Sequence, residues 1–297
     1  MLISAAGCSP HGERTLTTDR VTVVASIYPL ADFARQVGGN RVHVITLLPP
    51  GASPHVFSPS PRDLTALRDA RLFIKIGLGF EFWFNDVVRS GASPAMVEVD
   101  TSRGIPLIEE TGHSGHGHQS IANPHIWLDP VLAMQQVKRI EEALIGIDPA
   151  HRAAYESNAA AYLGELNRLD REIKETVKTI PVKAFIAMHP SWSYFAKRYG
   201  LVEAGVIEEA PGREPTPVEL ARIVQSVRDS SAKVVFSEPQ LNPKAAEVLA
   251  REIGGVVLEL DPVGSPEKRD RSTYLDLMRY NLSILQQGLS GASKPLR

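Results

Sequence analysis

The sequence predicts an α/β fold: two lobes of parallel sheet flanked by helices, bridged by one long rigid helix. Three observations carry this. Short β-branched runs alternate with helical patterns from Val21 to Val99. An apolar stripe of helical period then runs from Tyr155 to Val177. After Pro181 the strand–helix alternation starts again. Alternation of this kind builds a parallel sheet with helices on its faces.

The elements follow in order. Val21–Ile27 (VTVVASI) reads as a strand and Leu30–Val37 as a helix. Arg41–Leu48 (RVHVITLL) is a second strand, ended by Pro49, Pro50 and Gly51. Pro61–Asp69 is helical, Leu72–Ile76 a strand, Phe82–Arg89 helical and Met96–Val99 a short strand. Residues 101–124 form a long connection rich in Gly, Ser and His, and connections of that length inside a compact domain are often functional. A helix covers Val131–Ile145.

Asp148-Pro149 then reads as an N-cap followed by a helix-starting proline. Tyr155, Ala159, Tyr162, Leu166, Leu169, Ile173 and Val177 recur at helical spacing until Pro181. At 1.5 Å per residue that helix is roughly 45 Å long. It reaches across a whole domain and joins two lobes. Beyond it come a strand at Val182–Met188, a helix at Trp192–Tyr199, a strand at Leu201–Ile207 and a helix at Pro217–Asp229. A strand at Lys233–Ser237, a helix at Pro243–Ile253, a strand at Val256–Leu260 and a last helix over Arg271–Leu289 complete the chain. The expected division is a leading segment over 1–19, a first lobe over 20–147, a bridge over 148–180 and a second lobe over 181–297.

The 297 residues are 43% apolar and 22% charged, the balance of a soluble globular protein. No run of eighteen apolar residues exists, which excludes a multi-span membrane protein. Lys plus Arg is 32 against 34 for Asp plus Glu, a net of −2, so no bulk positive field marks a nucleic-acid partner. A single cysteine, Cys8, excludes an internal disulfide and any cysteine-rich zinc module.

Met1–Cys8 (MLISAAGC) resembles the end of a bacterial lipoprotein signal, whose cysteine is lipidated after cleavage. Residues 9–19 are polar and read as a flexible tether. The expectation is an exported protein with a lipid anchor at Cys8, in the periplasm or on the outer face of the cytoplasmic membrane.

Ligands of parallel α/β sheets bind beyond the carboxyl ends of the strands. His55 lies in the loop after the second strand, His125 in NPHIWLDP before a helix, and His189 directly after the strand VKAFIAM. Glu238 follows the strand VVF and Asp261 the strand VVLEL. Three imidazoles and one or two carboxylates therefore face the space between the lobes. Three imidazoles suit Zn²⁺, which takes four ligands in a tetrahedron. Taken singly, each histidine reads better as a hydrogen-bonded structural residue, Asp261 as a turn starter and Glu238 as a cap. Their convergence at one end of both sheets favours a metal site. Since imidazole must be neutral to bind metal, the sequence predicts affinity falling below about pH 6.5. His113, His116 and His118 (GHSGHGHQS) form a second cluster suited to weak, fast metal capture. His11, His43 and His151 receive no role.

At these residues the sequence resembles the substrate-binding proteins of zinc and manganese ABC transporters, the TroA-like group. The matching segments are VVASIYPLADFARQVGG, LLPPGASPHVFSPSP, NPHIWLDP, AMHPSWSYFAKRYGL, FSEPQLNPKAAEVLAREIG and LELDPVG. The resemblance implies a metal in the cleft, with ligand positions at His55, His125, His189 and Asp261. A histidine in the third position goes with zinc members, and a His-rich loop before the second ligand is typical of them. Pro54 stands where some zinc members carry an acidic residue, which leaves Asp261 or a water as the fourth ligand. Glu238 matches a position that backs a ligand instead of touching the ion. The implied function is capture of Zn²⁺ outside the membrane and delivery to an ABC permease, by a monomer that is not an enzyme. No phosphate-binding loop occurs here, so the ATPase is another chain. The alternatives are a Mn²⁺ or Fe²⁺ binding protein of the same class, a surface adhesin, or a zinc hydrolase with Glu238 as base.

Overall fold

The computed structural model describes residues 20–89, 93–110, 121–208, 213–228 and 230–291. Cys8, the 9–19 tether and the His113, His116 and His118 cluster lie outside the described residues.

In the first lobe β1 (Val21–Ala25), β2 (Val42–Thr46), β3 (Leu72–Lys75) and β4 (Val97–Asp100) form one sheet, all parallel, in the order β2-β1-β3-β4. The helices α1 (Tyr28–Gly38), α2 (Pro61–Asp69), α3 (Phe84–Arg89) and α4 (Pro130–Ile147) belong with it. The expected 101–124 connection contains a small antiparallel ladder, β5 (Glu109–Glu110) against β6 (Ile121–Ala122). Two residues per strand are too few to leave a periodic signal in sequence. The bridge is α5 (Arg152–Thr179).

In the second lobe β7 (Ala184–Ala187), β8 (Val202–Val206), β9 (Val234–Ser237) and β10 (Val256–Glu259) form another parallel sheet, ordered β10-β9-β7-β8. The helices here are α6 (Ser193–Tyr199), α7 (Pro217–Val227), α8 (Lys244–Ile253) and α9 (Tyr274–Leu289). The two sheets share one topology: the first strand is central, the second lies on one side, and the third and fourth on the other. Each lobe therefore has a switch point between its first and third strands, where loops diverge and leave a crevice.

Helix starts are set by side chains that satisfy the first free amides. Asp129 accepts from Val131 N with Pro130 in the first position of α4. Ser60 with Asp63, and Thr216 with Glu219, make reciprocal capping boxes on α2 and α7. Asp148 does not cap as expected. Its carboxylate instead accepts from Tyr155 Oη at 2.6 Å and meets His151 Nδ1 at 2.8 Å. The chain makes a 3₁₀ turn at Pro149–His151 before α5 begins.

The stripe read from sequence is the buried face of α5: Tyr155, Ala159, Tyr162, Leu166, Leu169, Ile173 and Val177, joined by Asp170. Its 28 residues span about 42 Å. The helix packs on α1 and α4 at one end and on α6 and α9 at the other. One apolar cluster consequently runs through both lobes, from Leu30 and Phe33 through Tyr162 and Leu166 to Tyr274 and Met278.

Polar contacts tie the lobes along the same seam. Buried Asp32 of α1 accepts from Tyr274 N at 2.9 Å, and Tyr274 Oη donates to Trp127 O at 2.7 Å. Trp127 Nε1 donates to Pro262 O at 2.7 Å. Arg198 Nε donates to Asp129 Oδ2 at 2.8 Å. Each buried donor of this set is satisfied across the seam, so opening the lobes would strand several of them. No helix among the described residues is long and apolar enough to cross a membrane.

Candidate metal centre

The histidines reach one point from three separate loops. His55 sits in a 3₁₀ turn (Pro54–Val56) after β2, a turn that Pro54 starts with its fixed φ. His125 precedes the 3₁₀ turn Ile126–Leu128 that leads into α4. His189 follows β7 directly and Glu238 follows β9. Because β7 and β9 are neighbours, these two residues lie at the switch point of the second sheet.

His125 Nε2 is 3.3 Å from His55 Nε2 and 3.1 Å from His189 Nε2. One nitrogen of each ring falls within 4.8 Å of the other two, and this triad is the group of metal-ligating side chains found among the described residues. His125 and His189 are buried, while His55 is half-buried on the side of the first lobe. Phe80, from the loop after β3, stands edge-on to both His55 and His125, with centroids 5.5 and 6.2 Å away. Trp127 lies 5.2 Å from His125.

The tautomers are set from behind. Asn123 Nδ2 donates to Pro190 O at 2.6 Å, which turns its Oδ1 toward His125. That oxygen accepts from His125 N at 2.9 Å and faces Nδ1 at 3.0 Å. A carbonyl oxygen only accepts, so Nδ1 carries the proton and Nε2 presents its lone pair to the cluster. Glu238 Oε1 lies 2.9 Å from His189 Nδ1 and accepts from Ser191 Oγ at 2.7 Å. The carboxylate favours a proton on Nδ1, leaving Nε2 of His189 as a donor to metal. Glu238 thus contacts the His189 ring at the nitrogen away from the other two imidazoles. Replacing it with glutamine removes the charge but keeps the shape, and zinc affinity is expected to fall roughly 10- to 100-fold, measured by competition with a chromophoric chelator.

Asp261 does not join the cluster. Its Oδ2 faces Arg271 Nη1 at 3.1 Å, and its Oδ1 accepts from Val263 N, Gly264 N and Gln240 Nε2 at 3.1, 2.9 and 3.1 Å. It was expected to converge with the histidines, and in this structure both of its oxygens are held elsewhere. A guanidinium ten residues further along and the amides of its own turn already occupy both oxygens. Asn123, Gln240 and Phe80 are the site residues that sequence reading missed. Asn123, two residues before a candidate ligand and ahead of a proline, carried the one usable signal.

Burial holds the His55 and His125 rings neutral. The His55 imidazole is pushed down to about 3, by desolvation first and by neighbouring His189 second. His125 is lowered well below the ordinary range, again by burial first, then by His189 and His55. Protons therefore compete for the His55 and His125 nitrogens only at more acid pH than the ordinary imidazole value of about 6.5 implies. The same shifts govern stability. An unfolded chain takes up protons on His55 and His125 below about pH 6.5; the folded chain refuses the first until about pH 3 and the second until well below the ordinary range. The two groups leave stability unchanged above about 6.5, and it falls progressively as pH drops through that window. Thermal melts of the metal-free protein at pH 7.5 and pH 5 are expected to show the lower midpoint at pH 5, beyond the change in a His55→Phe variant. Equal shifts in both would mean the rings are not buried as neutral groups.

Two lobes, a rigid bridge and a shielded cluster of three imidazole nitrogen donors at their seam define a class: a cleft-binding protein built for a divalent metal ion. The chain belongs to the family described as zinc-uptake complex component A, periplasmic, whose profile matches residues 23–288. It is 32% identical over 300 residues to the high-affinity zinc uptake system protein ZnuA of Bacillus subtilis, spanning 97% of this chain and 94% of that one. A crystal structure of ZnuA superposes with a TM-score of 0.81 at 34% identity, covering 92% of this chain and 100% of the other. The laminin-binding protein Lmb of Streptococcus agalactiae, described as bifunctional with adhesin and metal-transporting activity, superposes at 0.79 with 30% identity over 91% and 99% of the two chains.

Proposed function

We propose that this protein captures Zn²⁺ outside the cytoplasmic membrane and delivers it to an ABC permease, as a binding protein and not an enzyme. The observation that carries the reading is the meeting of His55, His125 and His189 ring nitrogens within 4.8 Å at the seam of the two lobes. Three imidazoles suit zinc better than the harder Mn²⁺, which favours oxygen donors. Glu238, next to His189, offsets part of the ion's charge in a poorly hydrated site. Membership of the zinc-uptake family and the resemblance to the Bacillus subtilis protein support the same cargo.

The further parts of the reading are these. Residues 20–147 and 181–297 act as the two lobes, with 148–180 as bridge. His113, His116 and His118 gather ions for the main site, Cys8 carries a lipid anchor, and the protein works as a monomer. The continuous core around α5 favours release by small loop shifts that withdraw one ligand over a wide hinge opening.

The test is elemental analysis of protein purified without chelators, followed by competitive titration with Zn²⁺ and Mn²⁺. One tightly held zinc is expected, with the melting temperature rising on loading. At a thousandfold excess over Kd the gain is about 4 kcal/mol. A clear preference for Mn²⁺, or no shift with zinc, would refute the assignment.

A further inference from the structure

His55 is the ring of the triad with nothing polar behind it. Asn123 turns His125, and Glu238 turns His189. The His55 ring touches the other two imidazoles and Phe80, and among the described residues no hydrogen bond reaches its Nδ1. Packing therefore aims it. That packing comes from one segment. Phe80 stands edge-on to His55, and Trp83 stands edge-on to Phe57 at 5.7 Å, just past the turn that carries His55. Between them Glu81 lines a pocket with Pro54 and Phe57. Residues 80–83 thus hold the His55 turn at both ends.

The chain reaches this segment through an unusual turn. Gly77, Leu78 and Gly79 have φ of +86°, +58° and +78°, and Leu78 is the one non-glycine residue of positive φ among the described residues. Glycine takes such values freely, whereas leucine does so at a cost. A Cβ on Gly77 would also run into the Asp100 carboxylate, so the turn passes tight against the end of β4. A strained turn persists only where its surroundings enforce it. Glu81, 8% exposed, does so. Its Oε1 accepts from Ile76 N at 2.8 Å and its Oε2 from Gly77 N at 3.0 Å. Phe80 N then donates to Gly77 O at 3.0 Å and closes the turn.

We propose that Glu81 is a positioning residue for metal capture: its grip on the Ile76 and Gly77 amides fixes the left-handed turn, the turn seats Phe80 and Trp83, and these aim His55 at the other two rings. This rests on the triad being the zinc site. His55 is then the ligand held by packing alone. A shift of the 77–83 loop withdraws it while His125 and His189 stay in place.

Full-length protein carrying Glu81→Gln, Phe80→Leu or both tests this. Competition with a chromophoric chelator reads zinc affinity, and NMR reads the imidazole signals of the metal-free proteins. Glutamine turns an NH₂ toward one of the two amides and breaks half of the clamp. Each single variant is expected to lose zinc affinity about tenfold. The double variant is expected to lose no more than that, because both changes act through one contact. The His55 ring signals are expected to shift in the same direction in both single variants, with those of His189 unmoved. A Glu81→Gln protein with a lower melting temperature but unchanged zinc affinity and unchanged His55 signals would overturn the proposal. So would losses that multiply in the double variant. If Glu81→Gln does not fold, Glu81→Asp, which keeps the charge but falls one carbon short, takes its place with the same expectations. If His189→Ala holds zinc as tightly as the unaltered protein, the triad reading itself fails. If His189→Ala loses zinc and Glu81→Gln does not, only the role of Glu81 falls.

Discussion

Replacing His189 with alanine is expected to lower zinc affinity by about two to three orders of magnitude while the metal-free protein keeps its fold. Structural zinc sites bind with roughly 10–16 kcal/mol over four ligands, or about 2.5–4 kcal/mol per ligand, and each 1.4 kcal/mol is tenfold. The fold should survive for a specific reason. His189 Nε2 lies 3.1 Å from another imidazole nitrogen, so its removal relieves crowding among donors that face one another without metal. The Glu238 carboxylate loses a neighbour but keeps Ser191 Oγ. Competition with a chelator of known affinity measures the first effect, and circular dichroism melts the second. Zinc affinity unchanged in this variant would remove His189 from the site.

The second large effect concerns the bridge. Leu166 is fully buried (0% exposed) near the middle of α5 and belongs to the cluster that joins both lobes. Leu166→Ala removes three carbons there and leaves a cavity that a helix fixed at both ends cannot close. The expected loss is about 3 kcal/mol, seen as a melting temperature lower by roughly 6–12 °C. Zinc affinity should change far less, because no ligand is carried on α5. A comparable loss of affinity would mean the bridge sets the spacing of the ligands more directly than the loops do.

Much of this was legible because the patterns are physically forced. The α5 stripe showed itself since one face of a long helix between two lobes must be apolar throughout, and the predicted residues are the buried ones. Strand positions were legible from β-branched runs, and with them the loops that carry His55, His125, His189 and Glu238. Their meeting at one point could be expected only from the rule that such loops share one end of a parallel sheet. Asp261 obeyed the same rule and still stands apart, because its partners Arg271 and the Val263 and Gly264 amides are contacts that periodicity does not encode. Asp148 misled for a similar reason: the side chain prefers Tyr155 Oη and His151 to the helix amides. The depressed basicity of His55 and His125 was likewise invisible, since it arises from desolvation and from rings distant in sequence.

X-ray absorption at the zinc edge, on protein loaded with one equivalent, bears most directly on whether the three rings grip a single ion. Three imidazole nitrogens at about 2.0–2.1 Å with one oxygen donor are expected. A spectrum with one imidazole or none, and oxygen donors making up the rest, would contradict it.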